Sequence, residues 1–207
     1  MNSITEKNGA TPSPPTHHSG GEARERADSL SSGDEPPALA RRAVEAYVTQ
    51  RRIISARELD QNPALSQPAA CFVSIKTTDR ELRGCIGTIE PSYETLADEI
   101  IHNAISAATR DPRFYPVAES ELSGLRFSVD VLGGPEETQF QELNPAVYGV
   151  IVEDESGTRR GLLLPDIEGV ETPEQQVRIA ARKAGIAPGT PLRLYRFRVT
   201  RFKEPGD

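Results

Sequence analysis

The sequence predicts an α+β fold with antiparallel sheets, because short alternating strands come in adjacent pairs across turn residues, helical stripes interrupt them, and no regular strand-helix-strand alternation develops. At 207 residues the chain has room for one ordinary domain, or one domain with two lobes, and is long enough to bury a core.

Residues 1–36 read as a disordered tail. They hold Pro12, Pro14, Pro15, Gly20, Gly21 and Gly33, many polar residues, and only Ile4 and Leu30 as large aliphatics. Such a segment cannot offset its own ordering entropy. Its acids outnumber its bases, and His17-His18 reads as a chance pair in solvent.

Residues 37–207 form the folded domain. Leu39, Ala40, Ala43, Val44, Tyr47 and Val48 recur at helical spacing and predict an amphipathic helix. After a loop with Pro63 and Pro68, Cys71 to Thr77 and Leu82 to Thr88 alternate as a hairpin turning at Asp79-Arg80. Ser92 reads as the cap of a second helix, with Leu96, Ile100, Ala104 and Ala108 on one face and Asp98 and His102 off it. Asp111-Pro112 ends that helix. Leu125 to Leu132 is a strand stopped by Gly133-Gly134-Pro135, and Tyr148 to Val152 pairs with Arg160 to Leu164. Pro173 and Gly185 bound a third helix. Arg193 to Phe202 reads as one final strand, its arginines on a solvated face.

The most informative segment is Leu82-Arg83-Gly84-Cys85-Ile86-Gly87-Thr88, which sets a cysteine between glycines at the end of a strand. A hairpin closed by two or four loop residues would oppose Leu82 to Thr77, Gly84 to Ile75 and Ile86 to Val73 on an apolar face. Arg83 would then face Lys76, and Cys85 would face Ser74, on the other. Two opposed cations beside a thiol call for an anion, since like charges across a strand pair repel. It could be the Cys85 thiolate, a carboxylate such as Asp111, or a bound substrate or phosphate. Alternatively Lys76 and Arg83 splay into solvent and Cys85 is a small residue in a bend. A three-residue loop would move Cys85 to the core face beside Cys71. His102 reads as a surface histidine paired with Asp98, or as a base for the thiol. Asp111-Pro112-Arg113-Phe114 reads as a loop closure or as part of the thiol site.

The net charge of −7 and the lack of a basic cluster argue against nucleic acid. No apolar run approaches a membrane span, and the N-terminus lacks a signal-peptide pattern, so a cytoplasmic protein with two free thiols is expected. No spacing suggests a metal site, a phosphate loop or a nucleophile elbow, and no cofactor is expected.

Leu82-Arg83-Gly84-Cys85-Ile86-Gly87 resembles the signature of the AMMECR domain family, the A component of AmmeMemoRadiSam systems. Cys71-Phe72-Val73-Ser74-Ile75, Asp111-Pro112-Arg113-Phe114, Pro116-Val117, Tyr148-Gly149-Val150, Gly161-Leu162-Leu163-Leu164-Pro165 and Lys183-Ala184-Gly185 follow the same pattern, over about residues 38–204. Asp166 stands where a glutamine is usual, a downstream tryptophan is missing, and residues 1–36 have no counterpart. The resemblance implies a two-lobed α+β domain with a larger and a smaller antiparallel sheet, the small lobe within 135–190, and a cleft between the lobes. It also implies work alongside a Memo-like protein and a radical S-adenosylmethionine enzyme.

Two functions follow as expectations. In the first, Cys85 is a nucleophile or redox thiol. Lys76 and Arg83 hold an anionic group or lower the thiol pKa, Gly84 and Gly87 let a large substrate approach, and Ile86, Asp111 and Arg113 line the same cleft. In the second, the cleft grips a protein or peptide and Cys85 is structural.

Overall fold

A computed structural model describes residues 36–56 and 63–205. The expected tail falls on residues 1–35, outside the described residues, apart from Pro36. That proline and Pro37 open the first helix, α1 (Pro36–Gln50), at positions where a missing N–H costs nothing. Leu39, Ala40, Ala43 and Val44 bury its apolar stripe. The second helix, α2 (Leu96–Thr109), is capped by Thr95, whose hydroxyl accepts the Asp98 N–H. Ser92 is not the cap. Its N–H and that of Tyr93 donate instead to the buried carboxylate of Glu99.

The two helices cover one face of a four-stranded antiparallel sheet. Its strands are β1 (Cys71–Thr77), β2 (Leu82–Gly87), β3 (Leu125–Leu132) and β8 (Val199–Lys203), in the order β2-β1-β3-β8. Period two sends Cys71, Val73, Ile75, Phe127 and Val129 under the helices, fully buried. It sends Phe72, Ser74, Lys76, Ser128 and Asp130 to the opposite face. Arg41 of α1 donates through Nε and Nη2 to Glu204, just past β8, and Glu204 also accepts the Phe127 N–H. This pairing ties the first helix to the last strand.

The second sheet contains β4 (Glu136–Glu137), β5 (Gly149–Asp154), β6 (Arg160–Leu163) and β7 (Leu192–Phe197), ordered β4-β7-β5-β6. The third helix, α3 (Pro173–Lys183), begins with a capping box between Thr172 and Gln175. It packs Ala180 onto Val150, Val152 and Leu163. The other face of this sheet, through Ile151, Leu162 and Phe197, meets Ala70 and Leu132. The layers therefore run helices, first sheet, second sheet, helix.

The expected single strand from Arg193 to Phe202 is two strands in different sheets, divided at Arg198. The chain crosses between sheets there, beside the point where the segment after β3 also crosses, and Gly133 N–H donates to Arg198 O at 2.8 Å. Its arginines are engaged rather than merely solvated: Arg193 with Glu153, Arg196 with Glu136, Arg201 with Asp130, and Arg198 with the Tyr148 hydroxyl. Each sheet has four strands, so neither is larger by strand number. The second also takes β7, beyond the 135–190 expected for a small lobe.

Gly84 on β2 lies under α2, where an added Cβ would stand 2.2 Å from the Ala107 carbonyl oxygen. Gly84→Ala is expected to lose about 1–3 kcal/mol in urea unfolding, the usual result of forcing a methyl into a packed site. Gly124→Ala, with nothing within 4 Å of its added Cβ, is expected to stay within about 0.5 kcal/mol of wild type.

Candidate functional site

The hairpin turn determines where the motif cysteine points. Thr77 N–H donates to Glu81 O, Arg80 N–H donates to Thr77 O, and Arg80 has φ of 67°, so the loop closes over three residues with its last in the left-handed region. Lys76 accordingly pairs with Leu82, not with Arg83. Left uncorrected, that register would turn Cys85 into the core. A bulge between Lys76 and Ile75 absorbs Arg83 as an extra residue, after which Ile75 pairs with Gly84, Ser74 with Cys85 and Phe72 with Gly87. Cys85 thus keeps the expected partner and face, although both register expectations hold for only part of the hairpin.

Freed from the ladder, Arg83 turns away from the thiol. Its Nε and Nη2 donate to the two oxygens of Glu121 at 2.8 and 3.0 Å, and Nη1 donates to Tyr115 O. The predicted pair of cations beside Cys85 is therefore not Lys76 with Arg83. The residue that does face Lys76 across the sheet is Arg126 of β3.

Cys85 sits on an edge strand with its peptide groups pointing outward, and Asp111 and Arg113 take them. Asp111 Oδ2 accepts the Cys85 N–H at 2.8 Å, and Arg113 Nη2 donates to Cys85 O at 3.4 Å. Arg113 also donates to Asp111 through Nε and Nη2 at 2.9 and 2.6 Å. Phe114 lies beneath the Arg113 and Arg83 guanidinium groups. The Asp-Pro-Arg-Phe turn is thus a clamp on the strand edge at the thiol. Arg113, helped by the two N–H donors, holds the buried Asp111 carboxyl down at about 2.

The thiol faces a groove of about 730 Å³ between the sheets. The first sheet contributes Phe72, Ser74, Lys76, Ser128 and Asp130 to it, and the second contributes Leu162 and Leu163 with Asp166, Ile167 and Lys183. Ser74 Oγ donates to Cys85 Sγ at 3.2 Å. Burial pushes the Cys85 thiol up, while Ser74 and then Arg113 pull the other way. Cys71, on the helix-covered face, is pushed up to about 12 by burial. Burial also holds the Lys183 amine below the usual lysine range as its Nζ donates to Leu162 O. A second hollow, between α1 and residues 119–123, is lined by none of the motif residues.

The structure thus brings Cys85, Lys76, Ile86, Asp111 and Arg113 to one groove. It puts Gly84 under α2 and Gly87 against the Phe72 ring, where a Cβ would lie 2.3 Å away. These glycines permit packing. His102 stacks on Tyr93 with centroids 4.2 Å apart, and Asp98 accepts the Thr95 hydroxyl instead of pairing with it. His102 belongs to the helix layer, while Cys85 opens on the other face of the sheet. Ser128, Lys183 and Lys203 line the groove without having been singled out as site residues. Alternation along β3 could have placed Ser128 on the Cys85 face. Among the described residues, no group of three or more His, Cys, Asp or Glu is arranged to hold a metal ion.

Asp111→Ala strands a peptide N–H beside an unpaired guanidinium and is expected to cost about 1–3 kcal/mol in urea unfolding. Asp111 ionises at lower pH in the folded protein, about 2, than in the unfolded chain, about 3.9. Its contribution is therefore complete above about pH 4 and lost as pH falls through the folded value. Wild-type stability is expected to drop across that window, and that of Asp111→Asn, lower at neutral pH, to drop less.

A model of the AMMECR1 family matches residues 37–204. A protein of Thermotoga maritima is 48% identical over 164 residues, spanning 78% of this chain and 93% of that protein. A protein of Clostridium acetobutylicum is 51% identical over 133 residues, 64% of this chain but only 28% of that longer protein. The crystal structure of uncharacterized protein PH0010 from Pyrococcus horikoshii superposes with a TM-score of 0.75 at 31% identity, covering 84% of this chain and 91% of that one. With the match running from α1 past the end of β8, the chain belongs to the AMMECR1 family.

Proposed function

We propose that the groove beside Cys85 is the cleft expected between two lobes, and that it is a recognition site for a segment of a partner protein, with the cysteine motif as its rigid floor. The observation that carries this reading is the full engagement of Cys85: its N–H is held by Asp111, its C=O by Arg113 and its sulfur by Ser74. Burial disfavours the thiolate, so the residue suits a fixed surface better than an attacking group. Leu82 and Ile167 remain exposed among the groove residues and offer apolar contact. In the Clostridium relative the matching region is 28% of a longer chain, where the domain is tethered to further polypeptide. The Memo-like protein and the radical S-adenosylmethionine enzyme implied by the sequence resemblance are the partners to test.

A thiol-dependent reaction is the second reading. One observation favours it: the Cys85 side of the groove faces Lys183, an amine whose desolvation weakens its hold on its proton and suits it to accept one.

The two readings differ in what Cys85→Ser does. Under recognition, titration calorimetry against the purified Memo-like and radical S-adenosylmethionine proteins is expected to show wild-type affinity for Cys85→Ser, because the hydroxyl conserves the small polar floor. The iodoacetamide rate of native protein, read at Cys85 because Cys71 is buried, is expected to rise only above the free-thiol pKa of about 8.5. Fast alkylation below that pH, lost on Lys183→Met, would overturn recognition in favour of thiol chemistry.

A further inference from the structure

The groove face of the first sheet carries cations that make no ion pair among the described residues. Lys76 on β1 lies directly opposite Arg126 on β3, and Lys203 on β8 lies opposite Ser128, diagonal to Arg126. Directly opposed side chains stand about 5 Å apart at Cβ and diagonal ones about 7–8 Å, close enough for like charges to repel. Among the described residues, no carboxylate makes an ion pair with Lys76, Arg126 or Lys203. Among the described residues, the Arg126 guanidinium reaches only the neighbouring Leu125 carbonyl.

The other cations nearby are neutralised, Arg113 by Asp111 and Arg201 by Asp130 and Asp166. On the facing wall, among the described residues, Glu168 makes no ion pair and so leaves one free carboxylate opposite the cations, and Lys183 is hydrogen-bonded only to a carbonyl. Between the rows of cations, the Ser128 hydroxyl makes no hydrogen bond within the described protein. A chain of net charge −7 therefore places Lys76, Lys203 and a free hydroxyl in the lining of the groove that contains Cys85, with Arg126 on the same sheet face just beyond that lining. A sheet holding like charges in register without internal compensation is built to be completed by an external anion.

We propose that Lys76, Arg126 and Lys203, with the Ser128 hydroxyl, form an anion seat that receives the carboxylates of an acidic peptide segment laid along the groove. The inference rests on reading the groove as a partner site and adds the chemistry of the segment bound there. Leu82 and Ile167, each 38% exposed, favour a segment in which apolar residues flank the acids.

The test is fluorescence anisotropy of a fluorescein-labelled hexaglutamate peptide, with hexaserine for comparison, against wild type and the triple variant Lys76→Gln, Arg126→Gln, Lys203→Gln. Hexaglutamate is expected to bind wild type at low ionic strength, to be released as salt shortens the screening length below about 10 Å, and to bind the variant about tenfold more weakly. Equal affinity for both proteins, or equal binding of hexaserine, overturns the seat. Displacement by inorganic phosphate at concentrations where added unlabelled hexaglutamate has no effect assigns the site to a free oxyanion and overturns the peptide.

Ligand-free melting gives an independent reading. The triple variant is expected to melt above wild type at low salt, with the difference shrinking in about 1 M NaCl, and a lower melting temperature at low salt overturns the uncompensated repulsion. If the purified partner proteins bind wild type and variant alike, the groove reading stands and the seat falls. If hexaglutamate binding follows the seat while neither partner protein binds, the seat stands and the partner reading falls.

Discussion

One extra residue in β2 controls the rest of the site. The tight loop with left-handed Arg80 starts the hairpin in a register that would turn the motif cysteine inward, and the bulge at Arg83 shifts it back. Because side chains alternate with period two, that single residue decides the face of everything after it. It puts Gly84 beneath the Ala107 carbonyl, Cys85 on the groove and Gly87 against Phe72. It also releases Arg83 to reach Glu121 and the carbonyls of Tyr115 and Pro116, fixing the segment that follows the Asp-Pro-Arg-Phe turn.

The same turn solves a second problem. An edge strand exposes unpaired peptide groups that invite another chain, and proteins usually blunt such edges. Here a carboxylate and a guanidinium from one turn take the outward N–H and C=O of a single residue, standing in for a neighbouring strand. Asp111 is thereby fully occupied: two N–H groups and the Arg113 guanidinium satisfy its oxygens. Signature and turn are two halves of one local structure.

Much of the fold was legible because it depends on local periodicity. The stripe of α1, the alternation of β1 and β3, and Pro173 with Gly185 around α3 each report a single element and its exposed face. What escaped needed two elements at once. The bulge leaves no trace in composition, so alternation alone opposes Arg83 to Lys76, whereas Arg126, from a strand more than 40 positions later, is the true neighbour. The break at Arg198 is hidden because alternation continues on both sides while the strand changes sheets. One wall of the groove was legible through the motif. The other, with Lys183 and Leu162 to Leu164, arises from the stacking of two sheets, which no local pattern encodes. Thr95 displaced Ser92 as the helix cap because Glu99, buried in the same helix, claims the Ser92 and Tyr93 N–H groups.

The link from Arg41 to Glu204 bears on how the protein is made. During synthesis, α1, β1, β2, α2 and β3 leave the ribosome well before β8, yet β8 flanks β3 and Glu204 anchors both Arg41 and the Phe127 N–H. Any sheet that β1, β2 and β3 form before β8 follows has β3 as an open edge while the whole second sheet is translated, and such an edge can pair with other chains. Non-local closure of this kind slows folding. The synthesis of β8, rather than the appearance of the first hydrophobic core, is the event that completes the first sheet.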